Sequence, residues 1–164
     1  MGTTAWDTIH SRTAALRNVV TALDAGGDLA WDDSAAEHFT DRDDVLRALH
    51  EVWSRRLQGR IDVALELDTR RLDASVAAAW VQTAADLPGV RRILDEHADV
   101  PALRHAGRIE LRAIAVAAGL ATFDDPIARS ATAGSHFVRR LRGQTPPTPR
   151  LPSLRRRLRV ALAS

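Results

Sequence analysis

Nine arginines and no carboxylate lie between Pro126 and the C-terminus: Arg129, Arg139, Arg140, Arg142, Arg150, Arg155, Arg156, Arg157 and Arg159. The first 125 residues hold the other 14 arginines (23 minus 9) and all 21 acidic residues, so a stretch at −7 precedes one at +9. A guanidinium presents a rigid fork of donors that suits carboxylate and phosphate oxygens, and it keeps its charge at every accessible pH. Charge separated in this way presents a basic end to something acidic: nucleic acid, an anionic membrane surface or an acidic protein face. Arg104, Arg108 and Arg112 add a cationic ridge at four-residue spacing, with Glu110 the only acid nearby. A solvated helix face is the ordinary reading of such a ridge, and an anion-facing surface is the functional one.

The basic end divides in two. Residues 145–152 carry four prolines and read as an extended, polyproline-like linker. Residues 153–162 read as a short amphipathic helix, with Leu154, Leu158, Ala161 and Leu162 on one side and arginines on the rest. Fewer than about 12 residues do not hold a helix alone in water, so such an arm is either disordered or docked. It packs in cis on the acidic bundle, or it engages nucleic acid, an anionic membrane, a partner protein or an assembly. The candidate partner-binding residues are Arg139, Arg140, Arg142, Arg150, Leu154, Arg155, Arg156, Arg157, Leu158 and Arg159.

Two short stretches resemble known families. Residues 114–120, Ile-Ala-Val-Ala-Ala-Gly-Leu, resemble the first half of the helix-turn-helix of bacterial DNA-binding repressors. The resemblance implies that Ala115 lets two helices approach, Gly119 makes the turn and Leu120 packs beneath a second helix. Ser130, Thr132, Ser135, His136 and Arg139 would then face the DNA groove. The second half departs from the pattern: Asp125 stands where an apolar residue is expected, and Pro126 interrupts the recognition helix. Arg92 to His97 and Arg129 to His136 are similar to the Arg-x4–6-His motif of small helical ribonucleases of the HEPN class. That resemblance implies His and Arg acting on a 2′-hydroxyl and phosphate. An arginine- and histidine-bearing chain of this composition generates about two such matches by chance. Ile93 follows Arg92 where the class carries a polar residue, while Ser130 follows Arg129.

Other chemistries find little support. The chain has no cysteine, which removes disulfides, thiolate metal sites and thiol nucleophiles. Its histidines and glutamates show no Glu-x-x-His or His-x-x-x-His spacing, so no metal or other cofactor is expected. Asp41, Asp43 and Asp44 read as first-turn residues favouring a helix dipole rather than as a calcium loop. His97, on an apolar helix side, reads as half-buried and hydrogen-bonded. No apolar signal segment opens the chain, and the longest apolar stretch, 113–121, falls short of the ~20 residues a membrane span needs.

The elements that must position these residues are helices throughout. Trp6, Ile9, Leu16, Val20 and Leu23 mark a first helix, stopped by Gly26 and Gly27. Ser34 and Glu37 have capping-box spacing ahead of a short helix over 35–39, and residues 40–43 open the longest one. There Val45, Leu49, Val52/Trp53, Leu57, Ile61 and Ala64/Leu65 keep a 3.6-residue stripe over about six turns. Leu72, Val76, Trp80 and Ala84 mark the next helix. Pro88 and Pro101 each open another, the latter running to about residue 121 with 113–120 as its buried centre. Asp125 and Pro126 read as cap and first residue of the last, which Gly143 ends. Trp6, Trp53 and Trp80 belong to the core, and Trp31 to a loop.

The fold class is thus all-α: a bundle of six to seven helices over 1–142, a proline-rich linker over 143–152 and a basic arm over 153–164. The functional expectation is a cytoplasmic, non-catalytic binding or regulatory protein, its Ala- and Arg-rich, Lys-free composition fitting a GC-rich bacterium. It engages an acidic partner, nucleic acid first, through the basic C-terminal region. The alternative is a protein-interaction or assembly-targeted module whose arm docks by its leucines, and a helical ribonuclease ranks last. Homo-oligomerisation is compatible with all three.

Overall fold

Asp41 and Asp44 set the start of the longest helix through their side chains. In a computed structural model, which describes residues 5–143 and the side chains of 9–143, Asp41 Oδ1 accepts from the Asp44 amide at 2.7 Å. Asp44 Oδ2 in turn accepts from the Thr40 amide at 3.0 Å, so two otherwise orphaned donors are satisfied. The chain forms seven helices among the described residues: α1 (Ala5–Asp24), α2 (Asp33–Ala36), α3 (Arg42–Leu67), α4 (Leu72–Asp86), α5 (Pro88–Glu96), α6 (Pro101–Ala117) and α7 (Ile127–Arg142). No helix among them is long and apolar enough to cross a membrane. The linker beyond Gly143 and the basic arm lie outside the described residues.

Helix α3 is the hub, packed against α1, α4, α5 and α6. Most of its expected stripe is core: Val45, Leu49, Trp53, Leu57 and Ile61 are buried, while Val52, Ala64 and Leu65 are half-buried against them. From α4, Val76, Ala79, Trp80 and Ala84 close on it, and Trp53 and Trp80 meet edge to face with centroids 5.8 Å apart. That geometry lets the positive ring edge of one indole face the π-cloud of the other. Helix α1 packs mainly on α5, where the Asp24 carboxylate accepts from the Gly89 amide at 2.8 Å. An acid at the first turn of α5 suits the positive end of that helix. Burial pushes the Asp24 carboxyl above its ordinary range, against the pull of the Gly89 and Val90 amides.

Helices α6 and α7 form an antiparallel hairpin. Their close approach rests on Gly134: a Cβ there would stand 1.9 Å from the Leu111 carbonyl oxygen. Pairing Gly134 with Leu111 brings Arg104 and Arg108 to the same cleft as Val138 and Arg142 near the end of α7. Pro101 also lines that cleft.

Several sequence expectations shift. The cap of α2 is Asp32, whose side chain accepts from the Ala35 amide, and not Ser34. Helix α6 ends at Ala117 rather than near 121, because Gly119 turns left-handed at φ 71° and Leu120 N–H reaches back to the Ala115 carbonyl at 2.8 Å. This closure satisfies the last carbonyls of α6 and stops it. The stretch 113–120 is accordingly a half-buried edge: Ile114, Ala115 and Ala118 are buried, while Ala113 and Leu120 face out. Asp125 does not cap α7; it accepts from the Thr122 amide and hydroxyl, and Pro126 stands at the cap position. Ile9, expected on an apolar stripe, is exposed, and so is Ile127 at the start of α7. Trp31 lies in a loop, as expected, and is exposed there.

Candidate functional site

Helix α7 carries three of the expected partner-binding residues on its last turn, where cations are favoured by the helix dipole. Arg139 and Arg140 are exposed. Arg140 lies 5.7 Å from the centroid of the Phe137 ring, and neither arginine meets a carboxylate among the described residues. Arg142 behaves differently: its Nη2 donates to Asp95 Oδ1 at 2.5 Å. Arg150, Leu154, Arg155, Arg156, Arg157, Leu158 and Arg159 fall outside the described residues.

The most structured polar site is centred on Glu110, which points from α6 into the bundle. Its Oε1 accepts from Trp53 Nε1 at 3.0 Å and its Oε2 from Ser54 Oγ at 2.7 Å. His50 Nε2 stands 3.1 Å from Oε2, in a contact bent away from the ring N–H direction, and Arg91 Nη1 is 4.0 Å from Oε1. The Arg91 guanidinium lies over the Trp53 ring, 4.6 Å from its centroid, and donates to Asp95 at 2.7 Å. Burial alone would push the Glu110 carboxyl up. The His50 contact, the Arg91 charge and the Ser54 hydroxyl outweigh it and hold the group below the ordinary glutamate value. An ionised carboxylate with this many partners is a satisfied interior charge.

Composition invites comparison with a serine–histidine–acid triad, but the connectivity is wrong for one. The Ser54 proton goes to Glu110 itself, while His50 Nδ1 lies 3.4 Å from Ser54 Oγ at the outer edge of hydrogen bonding. A nucleophile needs the imidazole between hydroxyl and acid. Here the carboxylate sits in the middle, taking the Ser54 proton and standing 3.1 Å from His50 Nε2. The arrangement holds side chains in place.

Beside this cluster opens a cleft of about 450 Å³ between α5, α6 and the end of α7. Arg91, Arg104, Arg108 and Arg142 line it together with His50, His105 and Glu110, and Leu94, Leu103, Leu111 and Val138 supply apolar wall. Arg104 donates through Nε to the Asp99 carbonyl at 3.1 Å, and neither Arg104 nor Arg108 pairs with a carboxylate among the described residues. Arg112, the third member of the ridge, is turned away to the Phe123 carbonyl at 2.6 Å.

Glu110, His50, Ser54 and Arg91 were absent from the residues singled out by sequence as site members. One signal was available: Glu110 is the only acid between Asp99 and Asp124, on a helix otherwise apolar or basic. An isolated carboxylate among buried positions must find donors inside.

The two family resemblances do not extend to geometry. Residues 118–126 separate α6 from α7, and the pair folds back antiparallel instead of crossing as a helix-turn-helix does. Gly119 does make a turn, but Leu120 is exposed, and Ser130 is fully buried with its hydroxyl on the Pro126 carbonyl. Arg92 is tied to the Gly27 carbonyl and lies near Asp28 and Glu96, while His97 bonds the Ile93 carbonyl and Arg42. His97 is half-buried and hydrogen-bonded, as expected. Arg129 and His136 stand about two turns apart on α7, roughly 10 Å along its axis. No group of three or more His, Asp or Glu side chains is placed to hold a metal ion among the described residues. No family model, curated protein or solved structure matches the chain.

Proposed function

We propose that this chain is a non-catalytic binding protein that engages an acidic partner, nucleic acid foremost, through residues 126–164. The observation that carries the reading is the end of α7. Arg139 and Arg140 stand exposed there without a carboxylate among the described residues, and the chain continues into five further arginines with no acid. Cations that the fold leaves uncompensated favour phosphate, whose neutralisation releases counterions. The deep position of Glu110 between its donors supports the non-catalytic part of the reading.

The test compares full-length protein with R139Q/R140Q and with R155Q/R156Q/R157Q/R159Q, using fluorescence anisotropy on a short duplex DNA and a single-stranded RNA. Each set of substitutions should weaken binding by about tenfold or more while the helical circular dichroism is unchanged. Binding that is indifferent to both sets contradicts the proposal. The protein-docking alternative predicts instead a salt-resistant interaction lost in L154D or L158D.

A further inference from the structure

We infer that the cleft between α5, α6 and the end of α7 is a binding site for a small organic anion with an apolar body, its carboxylate or phosphate head held by Arg104 and Arg108. The head-binding pair, Arg104 and Arg108, is separate from Arg139, Arg140 and the arginines beyond Gly143, on which the proposed nucleic-acid binding rests.

Charge comes first. Four guanidiniums line the cleft, and the carboxylates that reach them are Glu110 and Asp95. Asp95 is shared by Arg91 and Arg142, and Glu110 lies beside Arg91, so the compensated arginines are Arg91 and Arg142. Arg104 and Arg108 remain, one helical turn apart on the same face of α6, and both are exposed. Two like charges at this spacing repel each other, so their placement costs the fold a little stability. An anion between them removes that repulsion and can take a forked contact from each guanidinium.

Shape and lining define the rest of the ligand. The volume of about 450 Å³ lies within the range of small-molecule sites. Leu94, Leu103, Leu111 and Val138 form wall where an aliphatic or aromatic body would lie. The inner wall is held in place by bonds already made: Glu110 by Trp53 and Ser54, Arg91 by Asp95 and the Trp53 ring. A site whose inner wall is held before binding loses little freedom on taking up a ligand. Inorganic anions would use only the rim, whereas an amphipathic acid uses rim and wall together.

The experiment is isothermal titration calorimetry on the full chain with octanoate and with octyl phosphate, against octanol and acetate as controls. Both eight-carbon anions should bind saturably at one site, about tenfold or more tighter than either control. R104Q/R108Q, substitutions at exposed positions, should lose that preference, whereas R139Q/R140Q should keep it. The ratio of the octanoate and octyl phosphate affinities ranks the two head-group chemistries at the site. The inference is overturned if octanol binds as well as octanoate, if R104Q/R108Q binds the anions unchanged, or if no saturable heat is seen below the micelle-forming concentration. Because the two arginine pairs are tested separately, loss of nucleic-acid binding in R139Q/R140Q with an intact anion site, or the converse, separates the two proposals.

Discussion

Helix α6 shows two faces that treat charge in opposite ways. On the face toward α3 and α5, the carboxylate of Glu110 has Trp53, Ser54, His50 and Arg91 around it, each held in turn by a helix packed on another. On the rim toward the end of α7, Arg104 and Arg108 stand in water without an acid, a turn apart. Interior charge must be matched because an unpaired ion in a low-dielectric surrounding costs several kcal/mol. Exposed charge need not be, since water does the matching. The fold therefore depends on the first face and is nearly indifferent to the second. Residues whose charge the fold does not use are the ones available for a partner.

The contrast can be broken from the interior first. Replacing Glu110 with leucine leaves the Trp53 and Ser54 donors without their acceptor, His50 without its carboxylate and Arg91 with Asp95 alone. The expected loss is about 3–5 kcal/mol, read by urea unfolding. Gly134→Ala should follow at about 2–3 kcal/mol. Its gain in helix propensity, about 1 kcal/mol, is outweighed by a Cβ forced to 1.9 Å from the Leu111 oxygen. Glu110→Gln retains acceptor and shape but loses charge, so a smaller loss of about 1–2 kcal/mol is expected.

A third site sharpens the comparison by lying between the extremes. Arg12 holds Asp44 with two bonds of 2.8 and 2.9 Å while its own side chain is 40% exposed. That bond, with the Thr40 amide and the Arg12 and Arg47 charges, holds the Asp44 carboxyl at about 2 against burial, below its ordinary 3.8. A depressed acid stabilises the fold above its unfolded value and loses that contribution as pH falls through its folded value. Stability should thus decline from about pH 4 towards about pH 2, by on the order of 1 kcal/mol after solvent screening. Asp44→Asn should flatten that part of the profile. The smallest effect is expected at the rim: R104Q/R108Q should leave stability within about 0.5 kcal/mol of the parent. A large loss there would show that the rim belongs to the fold after all.

Helix number and core were legible in the sequence because each depends on local spacing. Trp53, Leu57 and Ile61 repeat every four residues, and with Val45 and Leu49 they are buried, while Val52 on the flank of the stripe is half-buried. Helix ends were less so, since several capping residues compete within one turn: Asp32 displaces Ser34, and Gly119 stops α6 before residue 121. The Glu110 cluster was not legible at all. Its donors Trp53 and Ser54 lie 57 and 56 residues away on another helix, and only the packing of α3 on α6 brings them together. The isolation of Glu110 among apolar and basic residues hinted that it needed donors without saying where they were. The arginines behaved in the opposite manner. Their sequence ridge was visible, yet only the register of α6 on α7 separates Arg112, bonded to the Phe123 carbonyl, from Arg104 and Arg108 at the cleft.

The most direct test of the central claim is the salt dependence of full-length protein binding to a short duplex DNA and a single-stranded RNA. If residues 126–164 neutralise six or more phosphates, affinity should fall by about a thousandfold or more between roughly 50 and 200 mM salt. Binding that is flat across that range, or absent at the low end for both nucleic acids, would contradict a phosphate-reading basic end.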